Sequence, residues 1–159
     1  MIIYDSENFI VEAVEKPHVD RNNGGHIKIY SKIRVLDRQH LSPKHAIELM
    51  RLTIVVGQAM SSVMNKHGVD VGRINYQDNG NWSVFKTEGS YLHIHLYGRA
   101  KSAKHNKYGQ ALYFPHIDEN PEYYERFKSL TIADVKEIHK EILRLLKEKK
   151  FSDSEWGFC

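Results

Sequence analysis

The segment Gly89-Ser90-Tyr91-Leu92-His93-Ile94-His95-Leu96-Tyr97-Gly98-Arg99 alternates with a period of two. That period is the mark of a strand with one face on a core. Leu92, Ile94 and Leu96 take the apolar face, and Tyr91, His93, His95 and Tyr97 take the other. A chain carrying such a strand must supply partner strands and an apolar layer behind it. The two imidazoles project side by side, about 7 Å apart along the strand. A solvent-facing strand more often carries Thr, Lys or Glu, so two imidazoles flanked by tyrosines read as the floor of a site.

The rest of the chain supplies what this strand needs. Asn8 to Val14 is β-branched and aromatic, and Pro17 interrupts it. Arg21-Asn22-Asn23-Gly24-Gly25 reads as a turn, and His26 to Tyr30 as a second strand. Ser42 suits a helix N-cap and Pro43 the first helical position. Leu49, Leu52, Val56, Met60 and Val63 then form one apolar stripe, with Gly68 as a stop. Strands are expected over Arg73 to Gln77, Trp82 to Phe85 and Tyr91 to Tyr97, with a turn at Asp78-Asn79-Gly80-Asn81. Thr131 and Asp134 resemble a capping box, and Val135, Ile138, Ile142 and Leu145 stripe the helix behind it. The order predicts an α+β fold with a mostly antiparallel sheet of about five strands, one long helix and a C-terminal helix.

Composition bounds the rest. A chain of 159 residues is about one domain, with a core expected over about 8–115 and a helical extension over about 116–150. At 41% hydrophobic and 27% charged it is not a wholly disordered chain. No apolar run approaches the roughly 18 residues of a membrane span, and the first residues lack a basic segment ahead of an apolar one. Net charge is 23 − 20 = +3, which does not argue for a nucleic-acid partner. Cys159 stands alone, so a reducing, cytoplasmic setting is the expectation. Ten histidines are the unusual number, because His titrates near neutral pH, binds metals and moves protons.

Three readings of the histidine strand compete. One imidazole can attack phosphorus while the other assists the leaving group. The H-x-H pair can instead supply two metal ligands, which needs at least a third that no spacing marks. The strand can also be exposed with incidental histidines. Gly89-Ser90 ahead of it could bring backbone N–H groups to an anion, and Arg99 after it adds a permanent charge.

Tyr91-Leu92-His93-Ile94-His95-Leu96-Tyr97 resembles the His-φ-His-φ-His-φ-φ signature of the histidine triad (HIT) superfamily, with φ apolar. Gly25-His26-Ile27-Lys28-Ile29 is similar to the Gly-His strand preceding that family's long helix. Arg34 to Pro43 resembles the run into the helix, and Asn75 to Gly80 the polar strand end before the triad. The resemblance spans roughly Asn8 to Arg99, in the family's order. It implies a nucleotide hydrolase or transferase acting at the α-phosphate of a nucleoside conjugate, such as a dinucleoside polyphosphate or a nucleoside phosphoramidate. His93 would attack and carry the nucleotidyl group, His95 would support the phosphate and leaving group, and His26 would orient the nucleophile. Gln77, Gly89, Ser90, Tyr91 and Arg99 would line the nucleotide and phosphate path. It also implies a homodimer and no required cofactor or metal site, a divalent cation entering only with the nucleotide.

The sequence departs from the signature where Tyr91 takes the first triad position, and Ser31 stands where a proline usually precedes the lysine. The ribose-binding acid is not placed among Glu15, His18 and Asp20. Tyr91 leaves open a nucleotide-binding sensor or scaffold without turnover, and the H-x-H pair a metal-dependent enzyme. Elsewhere, Arg99, Lys101, Lys104, His105 and Lys107 read as a solvated basic loop, and Gly109 to Pro115 as a strand, a segment packing over a dimer seam, or simple core packing. Trp82 and Phe85 are expected in the core. His40, His45, His67, His116 and His139 are expected to be surface residues.

Overall fold

The computed structural model describes residues 1–78, 83 and 87–158. Five strands form one sheet: β1 (Ile2–Asp5), β2 (Phe9–Ala13), β3 (His26–Ser31), β4 (Val71–Asp78) and β5 (His93–Ala100). Their order is β1-β2-β3-β5-β4, and every neighbouring pair is antiparallel. The helices are α1 (Pro43–Lys66), α2 (Pro121–Glu125), α3 (Ile132–Leu145) and α4 (Asp153–Trp156). The α+β expectation holds. Strand β1 was not anticipated, because only Ile3 of its four residues is buried. The turn and strand expected over 79–85, with Trp82 and Phe85, fall outside the described residues but for Ser83.

The two faces of the sheet differ in chemistry. Val11, Ile27, Ile29, Ile94, Leu96 and Ile74 point to the core, where they meet Leu52, Val56, Met60 and Val63 of α1. Helix α3 adds Ile138, Ile142 and Leu145. Helix α1 is long and apolar enough to cross a membrane, but its apolar stripe lies against the sheet and α3. Ser42 caps it through its Oγ, which accepts from the His45 N–H at 3.2 Å. The capping box of α3 forms as expected: Thr131 Oγ1 accepts from the Asp134 N–H and Asp134 Oδ2 from the Thr131 N–H.

Asp134 does more than cap. Its buried carboxylate accepts from Arg21 Nε and Nη2 at 2.6 and 2.8 Å and meets His67 Nδ1 at 2.6 Å. Burial would raise its pKa, yet the Arg21, His67 and Thr131 hydrogen bonds outweigh it and hold the acid well below the carboxylate range. His67 is therefore not an incidental surface residue. It ties the end of α1 to the start of α3. His139 likewise has its Nδ1 2.7 Å from the Ile3 carbonyl, joining α3 to β1.

The stretch Gly109 to Pro115 is irregular, not a strand. It belongs to a loop that crosses the far face of the sheet, with the Phe114 ring 4.9 Å from Tyr97. Lys101, Lys104 and Lys107 on this loop are exposed, as expected of a solvated segment.

Candidate active site

The polar face of the sheet is a grid set by strand register. His26, Tyr97 and Asn75 lie directly opposite one another on β3, β5 and β4. The next row runs across four strands as Glu12, Lys28, His95 and Gln77. The row after that holds Ile10, Tyr30 and His93. Directly opposite side chains in an antiparallel pair have Cβ atoms about 5 Å apart. The register alone thus gathers His26, His93, His95 and Gln77.

A glycine contact delivers His26. Gly24 at φ 129° passes so close to Gly98 of β5 that a Cβ on either would stand 2.1 Å from the other's carbonyl oxygen. The Gly98 N–H donates to the Gly25 carbonyl at 3.1 Å. Only two side-chain-free residues permit this crossing, and it starts β3 with His26 beside Tyr97. His26 is 1% exposed and His95 6%. His93, at the strand's start, is half-exposed and forms the open end of the site.

The hydrogen bonds assign the tautomers of His26, His95 and His93. The His18 backbone N–H donates to His26 Nδ1 at 3.1 Å, so a neutral His26 carries its proton on Nε2. That nitrogen lies 2.7 Å from His95 Nδ1. His95 Nδ1 therefore accepts, and the His95 proton sits on Nε2. His93 Nδ1 lies 2.8 Å from the Tyr91 carbonyl, and a carbonyl can only accept. His93 is thus protonated on Nδ1 and presents a lone pair on Nε2. Neighbouring imidazoles on one strand hold opposite tautomers: His93 offers a nucleophile and His95 a donor.

The charge states agree. Burial, then the neighbouring His93, His18 and Lys28, push His95 down to about 2. Burial, then the other imidazoles and Lys28, take His26 well below its ordinary value. Burial and His93 bring His18 down to about 4. His93 is also lowered, by burial and Lys28, although its bond to the Tyr91 carbonyl acts the other way. All four rings are neutral at pH 7.

Tyr91 meets the strand's requirement through its backbone, and its exposed ring lies 5.0 Å from that of His93. Among the described residues, the Gln77 Oε1 is buried with no hydrogen-bond partner, beside His95 in the row. Such an orphaned acceptor costs about 1–3 kcal/mol, and a substrate donor would recover it. Gly89 has φ 66° and its carbonyl accepts from Arg34 Nη2 at 3.5 Å, while Ser90 is half-buried just ahead of Tyr91. Arg99 is not gathered with the histidines. Its Nη2 donates to the carbonyls of Asn106, Lys107 and Gln110 at 3.3, 3.0 and 2.7 Å. The phosphate contact expected of it gives way to holding the loop that carries Phe114. Among the described residues, no group of three or more His, Cys, Asp and Glu is arranged to hold a metal ion.

His18, named from the sequence only as one of three ribose-binding candidates, and Lys28, given no role there, both belong to the site. His18 enters on a loop after Pro17, and its ring lies 5.0, 5.6 and 5.3 Å from those of His26, His95 and Phe114. No local pattern marks it. Lys28 was legible, since the period of two that places His26 on the polar face also places Lys28 and Tyr30 there.

No protein-family model matches the sequence, and no curated protein matches it. Solved structures do. A hypothetical histidine triad nucleotide-binding protein from Sulfolobus tokodaii superposes with a TM-score of 0.60 at 16% identity, over 93% of this chain and 87% of that one. A histidine triad protein from Bradyrhizobium japonicum gives 0.61 at 13%, over 91% and 88%. A zinc-bound histidine triad family protein from Mycobacterium smegmatis gives 0.59 at 14%, over 91% and 84%. The chain has the histidine triad fold.

Proposed function

We propose that this chain is a nucleotide-binding hydrolase or transferase that cleaves at the α-phosphate of a nucleoside conjugate through a nucleotidyl-His93 intermediate. The observation that carries this reading is the opposed pair of tautomers at the open end of the site. The His93 Nε2 lone pair attacks phosphorus, the P–N bond forms, and the leaving group departs with the electron pair of the bond it loses, as a phosphate from an anhydride or as the amine from a phosphoramidate already protonated on its nitrogen. The nucleotidyl-imidazole keeps its Nδ1–H, and the Tyr91 carbonyl stabilises the positive charge the ring gains. His95 stays neutral and donates its Nε2–H to a phosphate oxygen or the leaving atom. Its contribution is charge stabilisation of the kind phosphoryl transfer chiefly needs. Water, or a second acceptor in a transferase, then breaks the P–N bond.

Dinucleoside polyphosphates and nucleoside phosphoramidates are the substrate classes that this chemistry and the fold support. The reading without turnover rests on Tyr91, but the hydrogen bond made at that position comes from the backbone and survives the substitution. Turnover of adenosine phosphoramidate and diadenosine polyphosphates is the test, with and without chelator, beside His93→Ala. Turnover that persists in chelator and vanishes in His93→Ala supports the nucleophile. Full activity in His93→Ala overturns it, and saturable nucleotide binding without turnover favours the sensor.

A homodimer belongs to the same proposal. Among the described residues, strand β4 ends the sheet and no further strand pairs with its outer edge. Beside it, Leu41, Leu49, Met50, Ile54 and Tyr76 line an apolar groove of about 500 Å³. Met50 is 55% exposed and Tyr76 49%, a surface that a second copy would cover.

A further inference from the structure

We infer that Lys28 is the cation that binds the substrate's phosphate, held ready beside the histidines by Glu12 and Tyr30. The assignment rests on the site proposed above and adds a residue that the triad signature does not contain.

A phosphate diester or anhydride brings at least one negative charge to His93. The four imidazoles are neutral, so none of them offsets it. Arg99 is committed to loop carbonyls. Arg38 and Lys32 are paired with Asp78 and Asp5, as Lys28 is with Glu12, but neither of them stands in a row of the histidines. Arg34 reaches the Gly89 carbonyl at the rim. Register puts Lys28 directly opposite His95, in the row that ends at Gln77.

The side chain of Lys28 is arranged for this use. Its Nζ lies 2.8 Å from Glu12 Oε1 and 4.9 Å from the centre of the Tyr30 ring. Tyr30 stands opposite His93, so the ring beneath the ammonium borders the open end of the site. Tyr30 Oη donates to the second Glu12 oxygen at 3.3 Å. A lysine ammonium has three donors; Glu12 uses one and leaves two for phosphate oxygens. The Lys28 side chain is 21% exposed and that of Glu12 25%, dry enough for the charge to matter and open enough for an anion to enter. The Lys28 charge also acts on His26, His93 and His95, in each case disfavouring protonation. Lys28 therefore helps keep His93 a nucleophile while offering the phosphate its counter-charge.

The test separates this role from that of a cross-strand ion pair and from the proposed chemistry. Binding of adenosine monophosphate is measured by calorimetry in His93→Ala, where no turnover occurs, with Lys28→Met, Lys28→Arg or Glu12→Gln added. Lys28→Met is expected to weaken binding about tenfold to a hundredfold, the loss of charge-assisted hydrogen bonds. Lys28→Arg should recover most of that loss, and Glu12→Gln should leave binding equal or tighter, since it removes a competitor for the ammonium. Equal losses in Lys28→Met and Glu12→Gln, or binding within twofold of the parent in Lys28→Met with its melting temperature retained, overturn the assignment. Both results can arise whether or not His93 proves to be the nucleophile, so failure here is distinct from failure of the reaction.

Discussion

His93 and His95 are two residues apart on one strand, yet their proton arrangements are opposite, and the difference is imposed from outside the strand. The Tyr91 carbonyl fixes His93. A relay from the His18 backbone N–H through His26 fixes His95. His26→Ala should therefore leave the nucleophile in place and release the donor. The expected result is a fall in kcat of roughly 10²–10³-fold, the usual size of one oxyanion-stabilising donor, with KM nearly unchanged. The pH profile follows from the same residue. Protonation of His93 removes its lone pair, and its pKa is lowered by burial. The plateau in kcat/KM should thus extend below the ordinary histidine value of about 6.5 before activity falls in acid. An acid limb centred at or above that value would contradict the buried, neutral nucleophile.

At the scale of elements, the crossing of the Gly24-Gly25 turn over β5 decides whether the histidines meet. Gly98→Ala puts a Cβ 2.1 Å from the Gly24 carbonyl, and the backbone has nowhere to move within the ladder. A loss of roughly 1–3 kcal/mol is expected from overpacking, read from a urea melt, together with lost activity because His26 shifts. The same element shows what was legible in the sequence. Period-two patterning exposed β3 and β5 with their faces, and the caps and stripes marked α1 and α3 nearly to the residue. Those signals are local. His18, a ribose-binding candidate in the sequence, was not legible as the partner of His26, because it reaches His26 through a backbone N–H on a loop. Arg99 was misread because its partners are loop carbonyls 7 to 11 residues away. His67 was misread because Asp134, its partner, lies 67 residues away and looked like a cap and nothing more.

For the whole molecule, the edge of β4 that no other described strand pairs and the apolar groove on α1 belong to one surface. If two copies meet there, Tyr76→Glu places a charge in the contact and should yield monomers by light scattering, while the parent runs as a dimer. A parent that is monomeric at all accessible concentrations would end that part of the proposal without touching the active site, which one protomer builds from its own strands. The claim on which the rest depends is that His93 Nε2 becomes bonded to phosphorus. It is tested most directly by intact-mass measurement after rapid acid-free quenching of a reaction with adenosine phosphoramidate. The account predicts an adduct of one adenylyl group on the parent chain, carried on His93 and absent from His93→Ala. Steady turnover with no adduct at any quench time, or an adduct that persists in His93→Ala, would contradict it.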